Sequence, residues 1–132
     1  MPSLIYDIAV DGMAAGSLAF GSDSFAVMLV SGYTPDKSGH TDTADVIGEV
    51  TGSGYTAGGA DVGIIVDVAA DNQTDIELGG ATWPVSTISA TGAVYYQKAA
   101  DLLVAYVDFG GTISSLAGSF SLQPSTISIH NP

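Results

Sequence analysis

Apolar residues fall in short runs along this chain, separated by glycine, serine, threonine and aspartate. Ser24 to Ser31 (SFAVMLVS) is a run of strand formers bounded by Gly21-Ser22-Asp23 and Gly32. Asp61 to Ala69 (DVGIIVDVA) predicts the next strand, with Gly63 weakening it or marking a bulge. Ala70-Asp71-Asn72-Gln73 reads as a turn. Thr74 to Leu78 then alternates, with Ile76 and Leu78 on one face and Asp75 and Glu77 on the other. These two segments predict a hairpin. A second is predicted from Val85–Gln97, bent at Gly92, and Leu102–Phe109 (LLVAYVDF), with Lys98 to Asp101 as the turn. Ser119–Leu122 and Thr126–Ile129 alternate on either side of Pro124.

Two regions read differently. Ser3 followed by Leu4, Ile5, Ile8 and Ala9 predicts a short helix with a serine N-cap ending near Gly12, and fits a strand almost as well. The stretch 32–60 is a long polar, glycine-rich connection holding one helical turn near Thr43 to Glu49. It is either an interaction loop or an excursion packed by its own Tyr33, Val46, Ile47, Val50 and Tyr55. Seven or eight short strands with few helices predict an all-β fold. The expected form is an antiparallel β-sandwich or jelly-roll-like barrel with a short N-terminal helix and one long loop. The 132 residues make a single domain, with 1–16 as an N-terminal segment.

Charge narrows the function classes. Lys37 and Lys98 are the only cationic side chains besides the two histidines, against fourteen acids, for a net charge of −12. Binding a nucleic-acid backbone or an anionic membrane needs cations that the sequence lacks. A basic partner is what such a surface steers toward. Without cysteine there is no thiol catalysis and no thiolate metal site. No apolar run approaches the ~20 residues of a membrane helix, and the N-terminus lacks the basic start of a secretory signal.

Candidate chemistry is sparse. Asp36, His40, Asp42 and Asp45 lie within ten residues, so a loop-ordering cation is one reading. Their spacing fits neither a zinc site nor an EF-hand, and an acidic loop in which Asp favours turns is the plainer reading. Gly52-Ser53-Gly54-Tyr55 and Gly58-Gly59 lack the flanking elements and the lysine of a phosphate cradle. His40 and His130 have no nucleophile motif nearby, so no catalytic residue is assigned and no cofactor is expected. Tyr95, Tyr96 and Tyr106 read as core. Tyr33, Pro35, Tyr55 and Trp83 are the interface candidates, since Tyr and Trp anchor many interfaces. The termini, Met1-Pro2-Ser3 and His130-Asn131-Pro132, read as frayed ends or exchanging arms.

Four segments, taken in order, resemble a known family. They are Val27–Asp36 (VMLVSGYTPD) with His40, Glu49–Gly59 (EVTGSGYTAGG), Ala81–Tyr96 (ATWPVSTISATGAVYY) and Leu102–Gly110 (LLVAYVDFG). Together they resemble the small capsid decoration (cement) proteins of tailed bacteriophages, over roughly residues 17–125. Members of that family usually carry more lysine and arginine, and a longer turn between the strands at 61–69 and 74–78. The resemblance implies a β-sandwich or jelly-roll-like fold and no enzymatic role. It implies the major capsid protein and the chain itself (as dimer or trimer) as partners. The expected location is the capsid surface of the virion after synthesis in the host bacterial cytoplasm. A tail or head-fibre base protein is the alternative. A small glycan-binding β-sandwich, with its ligand face near Trp83 and Tyr95–Tyr96, is the second.

Overall fold

The computed structural model describes residues 3–70 and 72–130, with the backbone alone at 68–70. The described elements are β1 (Leu4–Ile5), α1 (Asp7–Ala15), β2 (Phe25–Val30), a 3-10 turn (Thr43–Asp45), β3 (Ala60–Val62), β4 (Ile64–Ala70), β5 (Gln73–Leu78), β6 (Ala81–Ser86), β7 (Ser89–Gln97), β8 (Leu102–Ser114), β9 (Gly118–Leu122) and β10 (Ser125–His130). They form a five-stranded sheet in the order β1-β8-β7-β2-β3, a three-stranded sheet β10-β5-β4 and a two-stranded sheet β6-β9. Every pairing is antiparallel. The sheets pack as a sandwich and do not close into a barrel.

All six residues of β2 (FAVMLV) are buried. A strand covered on both faces needs an unbroken apolar run instead of alternation. Phe25, Val27 and Leu29 join Tyr95 in one core, with Ile76, Leu78 and Ile127 from the three-stranded sheet and Trp83, Phe120 and Leu122 from the two-stranded one. Met28, Val30, Val94, Leu103 and Tyr106 join a second core with Tyr6 and Tyr33. The smaller sheets therefore cover one face of the central sheet, and the N-terminal segment and the long connection help cover the other.

That second task explains how 32–60 is held. Ser31 N–H donates to Gly48 O at 2.8 Å and Val50 N–H to Leu29 O at 3.0 Å, around a bridge between Val30 and Glu49. Asp7 N–H donates to Lys37 O and Leu103 N–H to Thr41 O. The helical turn of this connection is the short piece Thr43–Asp45, capped by Asp42.

Several boundaries differ from the sequence expectation. Ser3 caps no helix. Leu4 and Ile5 instead pair with Tyr106 and Ala105 at the edge of β8, and the helix starts at Asp7, whose carboxylate favours the positive end of the helix dipole. It runs through Gly12 and ends at Gly16, which takes the left-handed conformation that stops helices (φ 85°). The strand expected at 61–69 is two strands, because the backbone crosses from one sheet to another at Gly63. Gly63 accepts from Gly79 N–H at 2.8 Å. The strand expected from Val85 is also two. Trp83 and Pro84 lie inside β6, where the pairing shifts between Trp83 and Ser86 and so accommodates a residue with no N–H. The hairpins β4–β5 and β7–β8 form as expected. Of the first turn, Asp71 lies outside the described residues, as do Met1, Pro2, Asn131 and Pro132 of the terminal arms.

Gly59 has φ 80°, and a Cβ there would collide with the Val27 carbonyl. Gly59→Ala is expected to lose about 1–3 kcal/mol from backbone strain, with any repacking added. Gly21→Ala, where a Cβ meets open space, should change stability by less than ~0.5 kcal/mol. Urea unfolding midpoints of the two variants test the difference.

Candidate docking surface

The aromatic interface candidates turn inward. Tyr33 is 5% exposed and Trp83 6%. Pro35 is buried and Tyr55 half-buried. Trp83 packs between Tyr55 (ring centroids 5.8 Å) and the edge of Phe120 (6.0 Å). Tyr33 meets Tyr106 edge-on at 5.8 Å and stacks with His40 at 5.5 Å. The reason is one of area: two apolar sheet faces need large rings, and a tyrosine can bury its ring wherever its hydroxyl finds a partner. Trp83 and Tyr95, proposed from sequence for a glycan face, are likewise core residues.

Those hydroxyl partners account for His40. Its Nδ1 accepts from Asp36 N–H at 3.0 Å. It must therefore also accept from the Tyr33 hydroxyl, 2.7 Å away, and Tyr33 in turn accepts from Tyr6 at 2.9 Å. Burial is the largest influence raising the Tyr33 pKa, with the nearby carboxylates of Asp45 and Asp36 adding to it.

The acids around His40 shape their own turns. Asp36 accepts from the N–H groups of Ser38 and Gly39, and Asp42 from that of Ala44. Asp45 accepts from Thr41 N–H at 2.8 Å and from Asp42 N–H at 3.4 Å, and these backbone bonds hold its carboxyl below the usual range. Among the described residues no three His, Cys, Asp or Glu side chains converge on a point that could hold a metal ion. The Gly52–Gly59 stretch encloses a carboxylate of its own: Glu49 accepts from the Tyr55 hydroxyl and from Gly58 N–H, both at 2.7 Å. Tyr55 Oη also accepts from Leu29 N–H, and Tyr96 donates to Gly58 O.

A further feature lies in the distribution of charge. Residues 50–60, 78–97 and 109–129 contain no Asp, Glu, Lys, Arg or His. The fold gathers parts of all three at one end of the sandwich. Thr87 N–H donates to Ser53 O at 2.9 Å, Ser86 Oγ lies 2.8 Å from Ser115 Oγ, and Ala117 N–H donates to Thr87 Oγ1 at 3.0 Å. A groove of about 480 Å³ opens there, lined by Ser31, Gly48–Thr51, Thr87–Ser89 and Ser115. Its one acid is the internally bonded Glu49. Leu116 (85% exposed), Val85 (71%) and Ile113 (48%) present aliphatic surface on the same segments.

The acids occupy the rest. At the other end of the central sheet, the Asp23 carboxylate accepts from Ala19 N–H and the Gln97 amide, and Asp61 pairs with Lys98 at 2.7 Å. On the three-stranded sheet Asp67 stands opposite Asp75, and Glu77 is on the same face by register. Lys37 lies 4.0 Å from Asp7. Both lysines thus sit beside acids, which leaves the surrounding surface strongly negative. The signal for this division was the spacing of the acids along the chain, which a search for clusters overlooks.

Burial pushes the Tyr95 hydroxyl up to about 12 from 10.0 and raises Tyr6 and Tyr55 further. A raised folded-state pKa means the folded protein holds its protons where the unfolded chain releases them. This stability is complete below about pH 10 and declines as pH rises from there through the folded-state value. Urea midpoints should therefore be flat from about pH 7 to about pH 9 and fall above about pH 10, with Tyr95→Phe giving a shallower fall. Equal wild-type midpoints at about pH 7 and about pH 11 would contradict the burial of these hydroxyls.

Set beside protein-family models, curated proteins and solved structures, the chain matches none of them.

Proposed function

We propose that this protein is a capsid decoration protein of a tailed bacteriophage, which docks its acidic faces on a basic outer surface of the assembled head. The observation that carries the reading is the one-signed charge: fourteen acids in the chain against two lysines, both already beside acids. Such a surface has little to offer an acidic partner and a long-range attraction for a basic one. The order of the four segments that resemble the cement-protein family supports the same reading. So does the antiparallel sandwich, which the resemblance implied.

On this reading the protein performs no reaction. It binds the closed shell and not its opened state, and so shifts the equilibrium toward the closed one by mass action. A single exposed ion pair contributes little. Many weak contacts on each copy, and many copies per shell, make the effect large. The partner is the major capsid protein, and the location is the outside of the particle.

The test is a copy count by quantitative mass spectrometry on purified particles of the phage that encodes the chain, together with rebinding to heads that lack it. Hundreds of copies per head are expected, with rebinding that weakens as salt rises and screens the attraction. Particles without the protein should break at lower temperature. A handful of copies at one vertex would favour the head-fibre or tail reading, and absence from particles would overturn the virion assignment.

A further inference from the structure

We propose that the uncharged end of the sandwich is the surface through which a second copy of this chain binds. The inference holds whether or not the protein decorates a head, because it rests on charge and exposure alone.

Two copies carry −12 each. Any contact made through the acidic faces would press carboxylates together while stripping water from them, an arrangement that suppresses association. The uncharged end escapes this. Val85, Ile113 and Leu116 belong to β6, β8 and the turn after β8, all within stretches free of Asp, Glu, Lys, Arg and His. The last acid before them on β8, Asp108, accepts from Gly110 N–H at 2.9 Å. Depletion of charge around exposed aliphatic side chains is the composition of an interface centre. Ile65, Val66 and Ile129 are exposed as well, but they share their sheet with Asp67, Asp75 and Glu77, so the same apolar exposure there comes with the repulsion.

Three features favour a second copy over a different partner. A basic partner finds its complement on the acidic faces and none at this end. An uncharged patch meets its own twin without any mismatch of sign. The polar groups around the aliphatic side chains include the hydroxyls of Ser89, Thr112 and Ser114. Ser89 and Ser114 already bond each other at 2.7 Å, yet each hydroxyl, like the exposed Thr112, keeps bonding capacity to spare, so a twin patch across a two-fold axis leaves no polar group stranded. The surface required is modest: a standard contact takes about 800 Å² from each partner, roughly an eighth of the 6663 Å² that one chain exposes. Beside Ile113 an apolar groove of about 320 Å³, walled by Phe109, Leu122 and Pro124, adds a recess able to take an aliphatic side chain.

The salt dependence separates this contact from docking by the acidic faces. Raising ionic strength from about 0.1 M to about 1 M shortens the screening length from about 10 Å to about 3 Å. Repulsion between the remote acids of two copies then fades, so self-association should strengthen with salt, whereas binding to a basic shell should weaken. The experiment is sedimentation equilibrium of the pure protein at both ionic strengths, for the wild type, Leu116→Asp, Ile113→Asp and the acidic-face control Asp67→Asn. The expected result is a dimer that tightens in salt, weakens ~tenfold or more in Leu116→Asp and Ile113→Asp, and is retained in Asp67→Asn. Urea midpoints should show that both Asp variants stay folded, since the altered side chains are exposed. A monomer at every concentration and salt, a dimer that loosens in salt, or association untouched by Leu116→Asp would each overturn the proposal. Failure of head binding alone would overturn only the decoration reading.

Discussion

The central sheet is apolar on both faces, and much of the remaining structure follows from having to cover it twice. Two smaller sheets cover one side with Ile76, Leu78, Trp83, Phe120 and Ile127. For the other side the chain uses the N-terminal segment and the connection 32–60, which deliver Tyr6, Tyr33 and, at the margin, Val46. Leaving Met28, Val30, Val94 and Leu103 in water would forfeit roughly 1.5–3 kcal/mol for each large side chain. The long connection is therefore part of the core's enclosure. Its aromatic residues and His40 are drawn into that enclosure, and its aspartates are engaged in making the turns that let it lie flat.

The same demand explains where charge cannot go. Both core clusters are made without an ionised side chain, because a buried carboxylate must be paired or hydrogen-bonded. Glu49 meets that condition through the Tyr55 hydroxyl and Gly58 N–H. Among the described residues the other acids stay at least partly exposed, and the segments Ser53, Val85–Ser89 and Thr112–Gly118 contain none of them. The result is a molecule with two electrostatic characters. One surface attracts opposite charge at long range and weakens with salt. The other is neutral and carries the exposed aliphatic side chains Val85, Ile113 and Leu116.

The hairpins at β4–β5 and β7–β8 were legible because period-2 alternation and turn-forming residues are local signals. The all-β class followed from their number. The errors share one origin, competition from a partner distant in sequence. Ser3 looked like a helix cap until the edge of β8 took up Leu4 and Ile5. Gly63 read as a bulge, although the neighbouring segments belong to different sheets. Val85 to Gln97 read as one strand because no local feature says that Ser86 pairs with Gly118 while Ser89 pairs with Ser114.

For the candidate site, the sequence by itself determined the inventory: a strongly acidic chain, two lysines, no thiols and three long stretches without charge. Composition and period are properties of the chain alone, and they were enough for the fold class and for the chain's own net charge. The tertiary structure alone decided direction. Tyr33 and Trp83 have the chemistry of interface anchors, yet they face inward, because exposure depends on which surfaces meet across the fold. The three uncharged stretches are separated in the chain by the charged segments 61–77 and 98–108. They become one end of the molecule only when strand order and register bring Ser53 to Thr87 and Ser86 to Ser115.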